Sequence, residues 1–372
     1  MLYKIRSHFS LILCSFLFIV SMGVSIHYEK YAERTLSSVS IRYDKAAVTP
    51  KQIDNILEKV KHDSQTGLQD MTLWNRRKNE LIQSNITNIP LQTNIIEVYG
   101  DMSQVCPANF VCGNYVYEND ADGCVLASKM AYQLFGCTDI INNTVIWMGK
   151  KYSVRGVVKS KDTMMLIQVP DKNYLYSNVE AVYPKKVKQN IADNEGIQLK
   201  NLLAENGLPS PEAIIDGVLF SWFLHILCNL PLWIIVLAAA ILMIKHTCNN
   251  HNSIALLVLY GTGTILMIFI MIRITNFSIH IPSQFIPTKW SDFNFYIDKY
   301  NQMKADNLQI NQCIPMPIDI ARNKIQLSCI ILTVVNLLLL LYVKIKIYKS
   351  DRFLCKKETS PSKFFKEFFS EL

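Results

Sequence analysis

Residues 217–244 read GVLFSWFLHILCNLPLWIIVLAAAILMI, a run without a single Asp, Glu, Lys or Arg. The hydrocarbon core of a bilayer is about 30 Å thick and takes roughly 20 apolar residues in helical form, so this run is long enough to cross it. Uncharged blocks also occupy 9–26, 253–272 and 325–343. The chain therefore reads as an α-helical membrane protein with four transmembrane helices. His225 is the one imidazole inside these blocks, and Asn229-Leu230-Pro231 predicts a kink in the second helix.

The flanking charges orient the helices. Lys4 and Arg6 precede the first block, while Lys344, Lys346, Lys349, Arg352, Lys356 and Lys357 follow the fourth. By the positive-inside rule both termini lie in the cytoplasm, which leaves 28–216 and 273–324 outside and 245–252 inside. Arg273, Arg322 and Lys324 stand at the outer face against that rule. The first block could also be a cleaved signal peptide, but it exceeds the usual apolar region of roughly 7–15 residues. The sequence Ser21-Met22-Gly23-Val24-Ser25 is a poor cleavage site, so a retained anchor is expected. The net charge of +8 belongs largely to these flanks. No basic groove with interleaved aromatics appears, which argues for the lipid bilayer, and not nucleic acid, as partner.

The polar region has mixed periodicity. In 51–62, Ile53, Ile56, Leu57 and Val60 recur at helical spacing behind Thr49-Pro50. Strands are expected at 71–83, 93–99, 163–169 and 175–182, and a helix at 196–205. Residues 122–136 read as a strand running into a helix that Gly136 ends. Residues 144–148 and 152–158 alternate as a hairpin about Gly149-Lys150. An α+β extracytoplasmic domain follows. The expected organisation is an anchor at 1–27, that domain at 28–216, a three-helix membrane part at 217–348 with an outer loop at 273–324, and a cytoplasmic tail at 349–372.

Val125-Leu126-Ala127-Ser128, Ala131, Leu134-Phe135-Gly136 and then Gly149-Lys150-Lys151-Tyr152-Ser153-Val154-Arg155-Gly156-Val157-Val158, with Gly113 upstream, resemble the core domain of MacB-like ABC-transporter permeases. The order of anchor, outer domain and three further helices is similar too, with an FtsX-like membrane part. The resemblance implies a permease-like subunit in a bacterial cell membrane, with a separate ABC ATPase subunit and a homo- or hetero-dimer as possible partners. Such permeases meet their ATPase through a coupling helix in the inner loop. Here that loop, 245–252, is too short for a helix of two turns plus connections.

Two amphipathic stretches remain. In the tail, Phe364, Phe365, Phe368, Phe369 and Leu372 share a helical face that would dock a cytoplasmic partner or lie among lipid headgroups. In 290–303, Phe293, Tyr296, Ile297 and Tyr300 recur at helical spacing after Ser291, a candidate N-cap.

Cys106, Cys112, Cys124 and Cys137 lie close together outside, as two candidate disulfides or as free thiols. His246, Cys248 and His251 could bind a transition metal but more simply form a polar connection. Gly261-Thr262-Gly263 has no preceding strand and suits helix packing. There is no Walker A sequence, catalytic triad, paired-carboxylate motif or H-E-x-x-H, so no enzyme activity and no cofactor or metal are expected. The apolar blocks lack the ionisable residues of ion-coupled transport. The leading expectation is a permease-like subunit coupling membrane helices to an outer domain. The alternative is a membrane-anchored binding or sensory protein without an ATPase.

Overall fold

A computed structural model describes residues 2–62, 68–86, 90–183, 195–249, 254–275, 282–287, 289, 291–313 and 315–354. In chain order α1 (Leu2–Thr35) precedes β1 (Val39–Arg42), α2 (Pro50–His62), β2 (Asp70–Ser84), β3 (Leu91–Tyr99), α3 (Met102–Val105) and β4 (Phe110–Gly113). Then come β5 (Gly123–Ala127), α4 (Ser128–Phe135), β6 (Thr144–Trp147), β7 (Lys150–Val158), β8 (Met164–Gln168) and β9 (Asn178–Val182). The chain ends with α5 (Glu195–Glu205), β10 (Ala213–Asp216), α6 (Gly217–Asn249), α7 (Ile254–Thr275), α8 (Phe295–Gln312) and α9 (Pro317–Leu354). Two compact units result: a helical unit of Met1–Ala32, Ser221–His280 and Asn323–Leu372, and an α+β unit of Glu33–Phe220 and Ile281–Arg322.

Among the described residues, Ile12–Thr35, Gly217–Lys245 and Pro317–Lys346 are long and apolar enough to cross a membrane. The described apolar part of α7, Tyr260–Arg273, is shorter, so three of the four expected spans are met. The helices overrun their apolar blocks: α1 continues through the helix-forming HYEKYAERT of 27–35. Pro231 lies inside α6 and has no N–H to give the carbonyl of Leu227. Thr333 Oγ1 of α9 donates to that carbonyl at 3.2 Å, so a second helix satisfies the group that the proline frees.

In the α+β unit the sheet order is β10-β1-β9-β2-β3-β8-β5-β7-β4. β6 pairs with both β7 and the far end of β2, so β2, β3, β8, β5, β7 and β6 close a ring. β2 takes part in both halves because a bulge between Arg77 and Glu80, with Asn79 at φ 59°, bends it. Ile53, Ile56 and Val60 of α2, with Leu199 and Leu203 of α5, pack on Val39, Ile41, Leu73 and Val179 of the open half. Thr49 and Gln52 cap α2 reciprocally: Thr49 Oγ1 accepts from the Gln52 amide at 3.4 Å and Gln52 Oε1 from the Thr49 amide at 2.9 Å.

The strand-into-helix unit forms as expected, with Gly136 left-handed at φ 75°. The hairpin turn falls one residue earlier than expected. Met148 and Gly149 both have positive φ, and Trp147 pairs with Lys150, which makes a two-residue turn. The strand expected at 175–182 is regular only from Asn178, because Tyr176 bridges instead to Val48. The helix expected after Ser291 starts only at Phe295; Asn294 at its N-cap position makes no side-chain cap bond, and the Phe295 amide donates instead to Asp292 Oδ1 at 3.2 Å.

Candidate functional site

Three chain segments that continue into the helical unit meet within the α+β unit. They are the exit of α1 (Leu36 to Ser40), the start of α6 at Gly217 and the second turn of α9 at Arg322. Arg322 is 3% exposed. Its Nε donates to Leu36 O at 3.0 Å, and its Nη2 donates to Ser38 O at 2.8 Å and Ser38 Oγ at 2.9 Å. Its Nη1 donates to Ser40 Oγ at 3.1 Å and Asp319 Oδ1 at 3.3 Å. All five guanidinium N–H groups thereby have acceptors, a fork that lysine cannot reproduce.

Glu180 of β9 is fully buried. It accepts from the hydroxyls of Ser40 and Ser38 and from Trp74 Nε1 at 3.2 Å. Arg42 of β1 lies with Nη1 at 3.0 Å from Glu180 Oε1 and Nη2 at 3.2 Å from Asp319 Oδ2, its guanidinium 4.4 Å from the Trp74 ring centre. The Nη1 contact is an ion pair without hydrogen-bond alignment, and Arg42 Nε has no partner. Two cations and two anions balance, so no net charge is buried. Removing either sign from such a cluster costs about 3–5 kcal/mol, although the intact cluster adds little over an apolar replacement.

Gly217 closes the junction. Its amide donates to Ser38 O at 3.1 Å. A Cβ there would overlap the carbonyl oxygens of Leu36 and Ser38 and lie 2.9 Å from Arg322 Nη2, so only glycine fits. Asp216 then caps α6, accepting from the amides of Val218 at 3.0 Å and Leu219 at 2.9 Å. Burial pushes its carboxyl up, against those amides and the nearby Arg322 charge.

The helical unit holds a second polar cluster. His225 Nδ1 lies 2.7 Å from Glu29 Oε1, and Asn229 Nδ2 donates to His225 O at 2.9 Å and Glu29 Oε2 at 3.4 Å. His225 Nε2 is buried without a partner. Glu29 lies beyond the apolar block but within the span Ile12–Thr35, because the helix continues through it.

The four cysteines expected as bridge partners, Cys106, Cys112, Cys124 and Cys137, are free thiols, so the structure holds neither candidate bridge. Cys106 and Cys124 are buried, Cys112 Sγ donates to Thr138 O at 3.1 Å, and Cys137 is exposed. The side chains of His246, Cys248 and His251 lie outside the described residues, as do Phe364, Phe365, Phe368, Phe369 and Leu372. Phe293, Tyr296, Ile297 and Tyr300 are all exposed. Arg42, Glu180 and Arg322 were not singled out as a site by sequence reasoning. The available signal was a charge inside each of two short apolar strands, VSIR and NVEAV.

No protein-family model and no curated protein matches the chain. Solved structures similar to it include the periplasmic region of MacB from Actinobacillus actinomycetemcomitans, at 12% identity and TM-score 0.39, covering 49% of this chain and 90% of that one. The extracellular domain of the noncanonic ABC-type transporter YknZ from Gram-positive bacteria matches at 14% identity and TM-score 0.35, over 46% of this chain and 95% of that one. A domain of a protein described as a permease from Porphyromonas gingivalis matches at 10% identity and TM-score 0.33, over 50% and 91%.

Proposed function

We propose that the chain is a permease-like membrane subunit of an ABC-type transport or mechanotransmission assembly. In this reading four helices cross a bacterial cell membrane, both termini are cytoplasmic and a separate ATPase supplies the energy. The junction at Arg322 carries the reading. α1, α6 and α9 each run from the helical unit into the α+β unit, and their entry points are tied by one buried hydrogen-bonded guanidinium. Displacement of any one helix along its axis would be passed to β1 and β9 through that group. Non-directional apolar contacts would let the segments slide instead.

The test is affinity purification of the full chain from native membranes, scored for an ATP-binding subunit. A stoichiometric ATPase whose turnover falls in Arg322→Gln, with the complex still assembled, supports coupling through the junction. A chain that purifies alone in every detergent and amphipol tested rejects it. One observation favours the second reading, a binding or sensory protein without an ATPase. α6 is helical through Asn249 and α7 is helical from Ile254, so residues 245–249 of the expected inner loop continue α6 instead.

A further inference from the structure

An open cleft of about 610 Å³ lies in the α+β unit, lined among others by Asp44, Arg76, Arg77, Glu97, Asp171 and Tyr174. Its charges divide unevenly. Arg77 is neutralised: its Nε donates to Glu97 Oε1 at 2.8 Å, and its Nη2 donates to Tyr174 Oη, which itself donates to Glu97 Oε2 at 2.7 Å. Arg76 is not. Its Nη1 donates to the backbone oxygen of Pro315 at 2.7 Å, its Nε is buried without a partner, and no carboxylate among the described residues pairs with it. Burial holds its guanidinium below the usual arginine range, opposed by the Asp162 charge. A half-buried cation with no carboxylate paired to it carries a desolvation cost that an anionic ligand would relieve.

The anion is not phosphate-like, because the same cleft presents Asp44 and Asp171. Both are exposed, and neither forms an ion pair among the described residues. The unpaired lining is thus one cation and two anions. The complementary ligand carries one carboxylate together with ammonium groups, and the cleft's volume is of the order that takes a peptide of a few residues. We propose that this cleft binds the free C-terminus of a short cationic peptide, with its carboxylate on Arg76 and its ammonium groups on Asp44 and Asp171. The site does not depend on the mechanical reading above and would serve either a transporter or a sensor.

The experiment titrates the full chain in detergent with the tripeptide Gly-Lys-Lys and, separately, with its C-terminal amide, by calorimetry. Saturable binding of the acid form is expected, with the amide about tenfold weaker or more, since one charged hydrogen-bonded pair is lost. Arg76→Gln should abolish the difference between acid and amide. Because Arg76 also holds Pro315, the exposed Asp171→Asn variant provides a second measurement and should weaken both peptides while keeping their ratio. Absence of acid-form binding, equal affinity for acid and amide, or wild-type discrimination in folded Arg76→Gln would each overturn the proposal.

Discussion

Arg322, in the second turn of the last long helix, donates through Nη2 to the backbone carbonyl of Ser38 at 2.8 Å, 284 residues earlier in the chain. The same carbonyl accepts from the amide of Gly217. One backbone oxygen in the exit of α1 thereby joins the start of α6 to the second turn of α9, and both of its bonds come from groups without a close substitute.

Arg322→Gln is expected to destabilise the protein by about 3–5 kcal/mol, because Glu180 and Asp319 then lose half of their neutralising charge in a buried site. Arg322→Lys should recover only a minor part, since an ammonium cannot reach Leu36, Ser38, Ser40 and Asp319 together. Chemical unfolding of the full chain in detergent checks both variants.

Gly217→Ala should cost more than Gly136→Ala, and the contrast separates two roles of glycine. A Cβ at Gly136 meets nothing within 4 Å, so only its φ of 75° resists, at about 1–2 kcal/mol. At Gly217 the added carbon meets two carbonyl oxygens that Arg322 is holding in place. Thermal unfolding of the pair, measured side by side, should place Gly217→Ala clearly lower.

Thr333→Val keeps the volume of the side chain but removes the donor to Leu227. The carbonyl freed by Pro231 is then unsatisfied in an apolar helix, at about 1–3 kcal/mol. Pro231→Ala restores the intrahelical bond, so Thr333→Val should cost much less in that background. A double-mutant cycle checks the coupling.

Burial pushes the Cys106 thiol up to about 12 and raises that of Cys124 as well. At pH 8 the thiolate of Cys106 is about one part in ten thousand, so maleimide should label exposed Cys137 and spare Cys106 and Cys124 until the domain unfolds. The folded value lies above the unfolded one of about 8.5, so this contribution to stability is present below that pH and is lost as pH rises toward 12. Mass spectrometry of labelled peptides across pH 7–9.5 would show Cys106 labelling if its environment were open.

Much of the architecture was legible in one dimension because it rests on local patterns. Uncharged runs of bilayer length marked the helices, Ile53, Ile56, Leu57 and Val60 marked α2, and alternation marked the β6–β7 hairpin. These signals survive because the residues that make them are close in sequence and face one solvent boundary. The four-residue β1, β4 and β10 were invisible, being too short for a period and defined only by the strands beside them.

By itself, then, the sequence determined that long apolar helices accompany an α+β domain, since hydrophobic length and periodicity are properties of the chain alone. The tertiary structure decided that Arg322, Arg42, Glu180 and Asp319 neutralise one another, that Thr333 completes the helix broken at Pro231, and that Glu29 meets His225. Each joins residues distant in sequence, and a charge in a strand or a threonine in a helix has no visible partner until the fold supplies it.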